Sequence, residues 1–160
     1  MFRSLNGKEE EAVTILDNRD ISEGDPNNDV LIVCDHAVND LKFMKATDPE
    51  QGLLRSFEAF DAGAADLASS LSERLECLGV LTNFSKLVID PSLPITSVDL
   101  IRTEYLSEEL PVSFNHTGFR LWERLSDFYL EYQKILSEIM VSVDPKIIIS
   151  VHSHEQGDHM

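Results

Sequence analysis

The chain has few basic residues, little cysteine and no long apolar run, and each shortage removes a class of function. Thirteen lysines and arginines stand against 29 aspartates and glutamates in 160 residues, a formal net charge of −16. Such a chain repels a phosphate backbone and has no basic run to neutralise one, so nucleic acid is not an expected partner. No apolar stretch approaches the roughly 20 residues that span a bilayer. The opening MFRSLNGKEEEAV turns acidic where a signal peptide would carry its apolar segment. A soluble, cytoplasmic protein without a membrane partner is expected. Cys34 and Cys77 are the only cysteines and show no CxxC or paired spacing, so both read as reduced core residues. Cys34 adjoins Asp35 and His36, which leaves a reactive thiol as the alternative. Walker, GxGxxG and GxSxG motifs and internal repeats are all missing.

What is present is an apolar run with an abrupt polar end. VLIVCDHAVN, residues Val30 to Asn39, stops at Asp35 and His36, and KIIISVHSH, residues Lys146 to His154, stops at His152, Ser153 and His154. In an open α/β sheet, ligands bind beyond the carboxyl ends of parallel strands. A carboxylate and imidazoles emerging there are placed to hold a metal or move a proton. A single strand-end histidine is ordinarily a surface or capping residue; two of them could share one rim of one sheet. Asp61 lies inside AFDAGAADLA, where a carboxylate needs solvent or a specific partner. Asp90 again ends an apolar run, VLTNFSKLVID.

With 42% hydrophobic residues, the length suits one domain over 1–160. Residues 11 to 16, EAVTIL, read as a short edge strand, followed by a polar loop. Asp48 and Pro49 open a helix whose stripe of Leu53, Leu54, Phe57, Phe60, Ala64, Leu67, Leu71 and Leu75 faces the core, with Gly63 as a break and Gly79 as a stop. A strand lies within Val80–Ile89. Pro91 to Gly118 is a long surface excursion of the kind that shapes binding sites. Phe119 to Val141 is an amphipathic helix ended before Asp144 and Pro145, and Ile147–Val151 is the last strand. This order predicts an α/β three-layer sandwich with a mainly parallel sheet and helices on both faces.

Six segments taken in order resemble the N-formylglutamate amidohydrolase family, in particular its smaller branch, over about Val13 to Ser153. LIVCDHAVND is similar to the family's LLVCDHASN, and FDAGAADLASSL to its WDIGAAALA. FSKLVIDPSL is similar to YSRLVIDCNR, and ELPVSFN to the IPGN loop. ERLSDFYLEYQKIL is similar to the ER…YxPYHxxI helix, and ISVHSH to the VHSF strand end. The resemblance implies a fold similar to that of zinc-dependent carboxypeptidases. It also implies hydrolysis of a linear amide in a small N-acyl amino acid, formate and glutamate being the family's products. A divalent metal, zinc before others, would activate the water. His36 and His152 are the implied ligands, with Asp61 as third ligand or as a partner that orients an imidazole. Asp35 and Asp90 are implied in acid–base or supporting work, Lys86 and Asn115 in contact with substrate.

The departures are equally specific. Lys86 and Leu93 stand where the family has arginines, and Gln133 where it has the histidine of PYH. Lysine does not reproduce the two-donor fork of a guanidinium, and leucine donates nothing. The family continues past its VHSF strand, so this domain is expected to lack the C-terminal part. A non-catalytic or fragmentary member acting as a binding module is the alternative to the hydrolase.

Overall fold

A computed structural model describes residues 12–19, 27–42, 51–102, 104–105, 108–109 and 118–154. The Asp48–Pro49 helix start and Asn115 lie outside the described residues. The central strand, β2 (Val30–Cys34), is apolar throughout, and Leu31 to Cys34 are buried. It is flanked on both edges and covered on both faces, so only Val30 at its start keeps partial contact with water. On one side it pairs in parallel with β3 (Leu78–Thr82), Leu31 opposite Leu78 and Cys34 opposite Leu81. On the other it pairs in parallel with β6 (Ile147–Ser150), Val30 opposite Ile147 and Val33 opposite Ser150. The expected edge strand is β1 (Val13–Asp17), antiparallel to β3, which gives the order β1-β3-β2-β6.

The two-residue period of the strands sorts the core into two layers. Leu31, Val33, Leu78 and Val80 share one cluster with Phe128, Tyr132, Ile139 and Val143 of the C-terminal helix. Ile32, Cys34 and Leu81 share the other with Ala64 and Ala68 of α2 (Ala64–Arg74). The result is a mixed α/β fold with a mostly parallel sheet between helices. Each large side chain buried this way contributes about 1.5–3 kcal/mol.

Three sequence expectations need correction. The third strand starts earlier than expected, at Leu78, and only its Val80–Thr82 half lies within Val80–Ile89. Beyond it, Ser85 Oγ donates to the Ala59 carbonyl at 2.7 Å and accepts from the Leu87 amide at 3.1 Å, which fixes a turn. Leu87, Val88 and Ile89 are buried in that turn, so their apolarity reports burial and not extension. Gly79 does not stop a helix. It lies in β3, where an added Cβ would stand 3.3 Å from Leu16 Cβ and from Ser72 Oγ.

The break expected at Gly63 is present. α1 (Gln51–Leu54) is one turn, and α2 begins only after Gly63, whose φ of 79° lies in the left-handed region that glycine tolerates. The stripe holds at Leu53, Leu54, Phe60, Ala64 and Leu71, which pack on the core, and fails at Leu67 and Leu75, which are exposed. α2 buries Ala64, Ala68 and Ser72, while Leu67 is 53% exposed. Small residues let the helix approach the sheet closely enough for Ser72 Oγ to donate to the Cys77 carbonyl at 2.7 Å.

The excursion after Pro91 contains turns and a short antiparallel pair, β4 (Glu104–Tyr105) with β5 (Glu108–Glu109). The last helix runs through α3 (Gly118–Glu123), a π-helical segment (Arg124–Leu130) and α4 (Glu131–Val143). It stops where Asp144 turns left-handed at φ 50°, one residue before Pro145. Among the described residues no helix is long and apolar enough to cross a membrane.

Candidate metal centre

The carboxyl ends of β2 and β6 lie side by side because the strands are parallel neighbours, and this places the two histidine segments together. Thr82, at the end of β3, accepts the Ala37 amide at 3.2 Å and donates to the Asp35 carbonyl at 2.9 Å, fixing the turn that carries His36. The Val151 amide donates to the Val33 carbonyl at 2.8 Å, extending the ladder to the residue before His152. The imidazoles of His36 and His152 consequently meet edge to face, ring centroids 5.3 Å apart. Asp61 arrives from the turn before α2, anchored by its amide donating to the His36 carbonyl at 2.9 Å.

Asp61 is the hub. Its Oδ2 lies 2.9 Å from His152 Nδ1 and 3.3 Å from His36 Nδ1, and its Oδ1 accepts from Lys86 Nζ at 2.9 Å. One donor atom from each of His36, Asp61 and His152 lies within 4.8 Å of the others. The second imidazole nitrogens are also engaged. His36 Nε2 is 2.9 Å from Asp90 Oδ1, and His152 Nε2 is 2.8 Å from Ser150 Oγ. Asp90 Oδ1 further accepts the Ser92 hydroxyl at 2.6 Å and the Ser92 amide at 3.1 Å. His36, Asp61, Asp90 and Lys86 are buried, whereas the His152 side chain is 41% exposed and forms the open side.

Electrostatics favour a cation here. Burial raises the Asp61 pKa, yet the hydrogen bonds from Lys86 and His152 and the charge of His36 outweigh it and hold the carboxyl below the usual carboxylate range. Burial likewise opposes ionisation of Asp90, and hydrogen bonding and charge from His36, with help from Ser92, again prevail. Ligation requires neutral imidazoles, so a bound cation would take over the charge that His36 supplies in these interactions, with two carboxylates and the one Lys86 ammonium beside it. Two imidazoles and a carboxylate, with the outer nitrogens held by Asp90 and Ser150, form a donor set suited to zinc or a similar ion. The residues present therefore fit such a group.

Asp35 does not join this cluster. Its carboxylate accepts a short hydrogen bond from the Tyr132 phenol, whose pKa is pushed up first by burial and then by the Asp35 charge, so Tyr132 remains a donor. Asp35 borders a neighbouring cleft of about 280 Å³. Lys86, expected on the substrate, is committed to Asp61. Gln133, in the place of the family's histidine, donates to the Pro91 carbonyl at 2.9 Å, and Tyr129 donates to the Leu93 carbonyl at 2.9 Å, so the helix clamps the loop after Asp90. Cys34 is fully buried, and desolvation pushes its thiol up to about 11, which removes the reactive reading. Thr82, Ser92, Ser150 and Tyr132 escaped the sequence reading as site residues. Only Ser92, two residues after Asp90, carries a local signal, that of a side-chain turn.

No protein-family profile matches the chain, and no curated protein matches it. Among solved structures, the fold is similar to the crystal structure of gene product Atu2144 from Agrobacterium tumefaciens, with a TM-score of 0.73 and 25% identity over 90% of this chain. The chain spans 57% of the length of that structure.

Proposed function

We propose that this chain is a metal-dependent amidohydrolase of the N-formylglutamate amidohydrolase type, built on a fold similar to that of zinc carboxypeptidases. The observation that carries the reading is the convergence of His36, Asp61 and His152, three residues from distant segments, with donor atoms within 4.8 Å. The family's motif order, legible in the sequence, supports the same assignment. His36, Asp61 and His152 hold a divalent cation, zinc first. When bound, such an ion polarises an amide carbonyl and acidifies a water. Asp90 fixes the ring of His36 through Nε2 and so keeps Nδ1 turned toward Asp61. Lys86 offsets the charge on the far oxygen of Asp61. The half-exposed His152 marks the side from which substrate enters. Asp90 is thus a positioning residue, and Asp35 belongs to the cleft where the rest of the substrate lies.

A second reading, a binding module without catalysis, is favoured by the Lys86–Asp61 pair, because an ammonium 2.9 Å from Asp61 already compensates the hub. The two separate by equilibrium dialysis against zinc and by zinc-dependent release of formate from a panel of N-formyl amino acids. The hydrolase requires about one equivalent of zinc, lost in His36→Ala, together with hydrolysis. Stoichiometry unchanged by His36→Ala, or zinc bound without turnover of any acylated amine, would remove it. N-formylglutamate itself should be a poor substrate, since Leu93 supplies no cationic fork for a second carboxylate.

A further inference from the structure

We infer that the cleft beside the metal centre is a subsite for an alkylammonium group, so that the substrate is an acylated diamine and not an acylated dicarboxylate. This deepens the amidohydrolase reading and rests on it for the hydrolytic half alone. The cleft, about 280 Å³, has Asp35 in its wall and, among the described residues, no lysine, arginine or histidine in its lining. Asp35 takes part in no ion pair among the described residues, and Tyr132 donates to only one of its oxygens. A carboxylate has room for several donors, so the second oxygen can receive an ammonium.

The remaining walls fit an alkyl chain. Leu136, Met140 and Ile148 supply the apolar surface. The volume is about nine water volumes at roughly 30 Å³ each, room for a four- or five-carbon amine. Two serines join the cleft to the metal centre. Ser92 lines the cleft and donates to Asp90, and Ser150 lines it with its hydroxyl 2.8 Å from His152 Nε2. An amide carbonyl at the centre therefore leaves its amine tail in the cleft. A carboxylate tail would lie against Asp35 with no cation to compensate it, in a chain whose formal charge is already −16. In the reaction the amide C–N bond breaks and the acyl carbon bonds the water oxygen, leaving as carboxylate. Both water protons end on the released nitrogen, which leaves as ammonium.

The test uses 1,5-diaminopentane and glutarate, of matched length and opposite charge, titrated calorimetrically into the zinc-free and the zinc-loaded protein. The diamine should bind and glutarate should not. Asp35→Asn keeps an acceptor for the Tyr132 phenol but removes the charge, and should weaken the diamine at least tenfold. Ile148→Lys, at a half-exposed edge position, sets a cation in the cleft; it should also weaken the diamine and serves where Asp35→Asn fails to fold. Equal or tighter binding of glutarate, no diamine binding, or a diamine affinity indifferent to these substitutions would overturn the inference. Diamine binding to a protein that takes no zinc would uphold the subsite while removing the hydrolase. Zinc-dependent formate release from N-formylglutamate without diamine binding would do the reverse. With both readings intact, N-acetyl-1,5-diaminopentane is hydrolysed and N-formylglutamate is not.

Discussion

Lys86 and His152 take opposite oxygens of Asp61, Lys86 Nζ on Oδ1 at 2.9 Å and His152 Nδ1 on Oδ2 at 2.9 Å, where His36 and the Ser153 amide also lie at 3.3 Å. The hub can therefore keep its buried ion pair while its other oxygen turns to a cation. The ammonium still repels that cation through a nearby, poorly solvated path.

Lys86→Met should consequently act in opposite directions on fold and ligand. Removing one partner of a buried pair costs about 3 kcal/mol in the metal-free protein. Zinc affinity should rise about tenfold, since one positive charge beside the ligand set is gone. Denaturant unfolding without metal and a zinc competition titration read the two effects separately.

Asp90→Asn keeps an acceptor for His36 but loses the carboxylate. Partners of this kind orient a metal-binding ring and raise its basicity, and their loss costs about 10- to 100-fold in metal affinity. The same substitution should leave the stoichiometry of zinc at one, which dialysis reports. Loss of stoichiometry would make Asp90 a ligand.

Acid should weaken the fold through Asp61 and Asp90. Both carboxyls titrate below their ordinary value when folded, because hydrogen bonds and opposite charge outweigh burial. A depressed folded pKa contributes stability that is complete above the unfolded value of about 3.9 and is lost as pH falls through the folded value. Urea midpoints should stay level from neutrality to about pH 5 and fall below about pH 4. Asp90→Asn should flatten part of that fall.

Cys34 and Cys77 are both buried, and burial raises both thiols, Cys34 to about 11. Neither should react with an aromatic disulfide reagent at pH 8 in the native protein. Both should react once urea unfolds it. Fast labelling of one thiol under native conditions would place Cys34 or Cys77 at an open surface.

Gly63→Ala tests the break before α2. A Cβ there meets nothing within 4 Å, so the cost is conformational. A φ of 79° should make it about 1 kcal/mol destabilising, read from denaturant midpoints. Metal affinity should follow if the turn carrying Asp61 shifts.

The parts of the site that stood out in the sequence are those where chemistry contradicts surroundings. Asp35 and His36 interrupt an apolar run, His152 ends another, and Asp61 sits among alanines. Elsewhere apolarity misled, because burial and extension look alike in one dimension. Leu87 to Ile89 are as apolar as a strand but occupy a turn and the loop after it, and α2 turns its alanines inward while Leu67 faces water. Ser150 gave no warning of a role, and Ser92 only the local signal of a side-chain turn after Asp90. A serine becomes informative only when its neighbour in space is known, and Asp90 and His152 are those neighbours.

The pairing of β2 with β6 carries a consequence for the order in which the protein matures. His36 and Asp61 are synthesised early, but His152 reaches them only after Ile147–Ser150 has docked beside Val30–Val33. A nascent chain lacking β6 can gather two of the three donors and no more. A slip of one residue in that pairing would turn the alternating side chains of β6 to the opposite face and shift the exit to His152. Metal capture would then report on the last strand, distinguishing a chain that has closed its sheet in register from one that has merely collapsed.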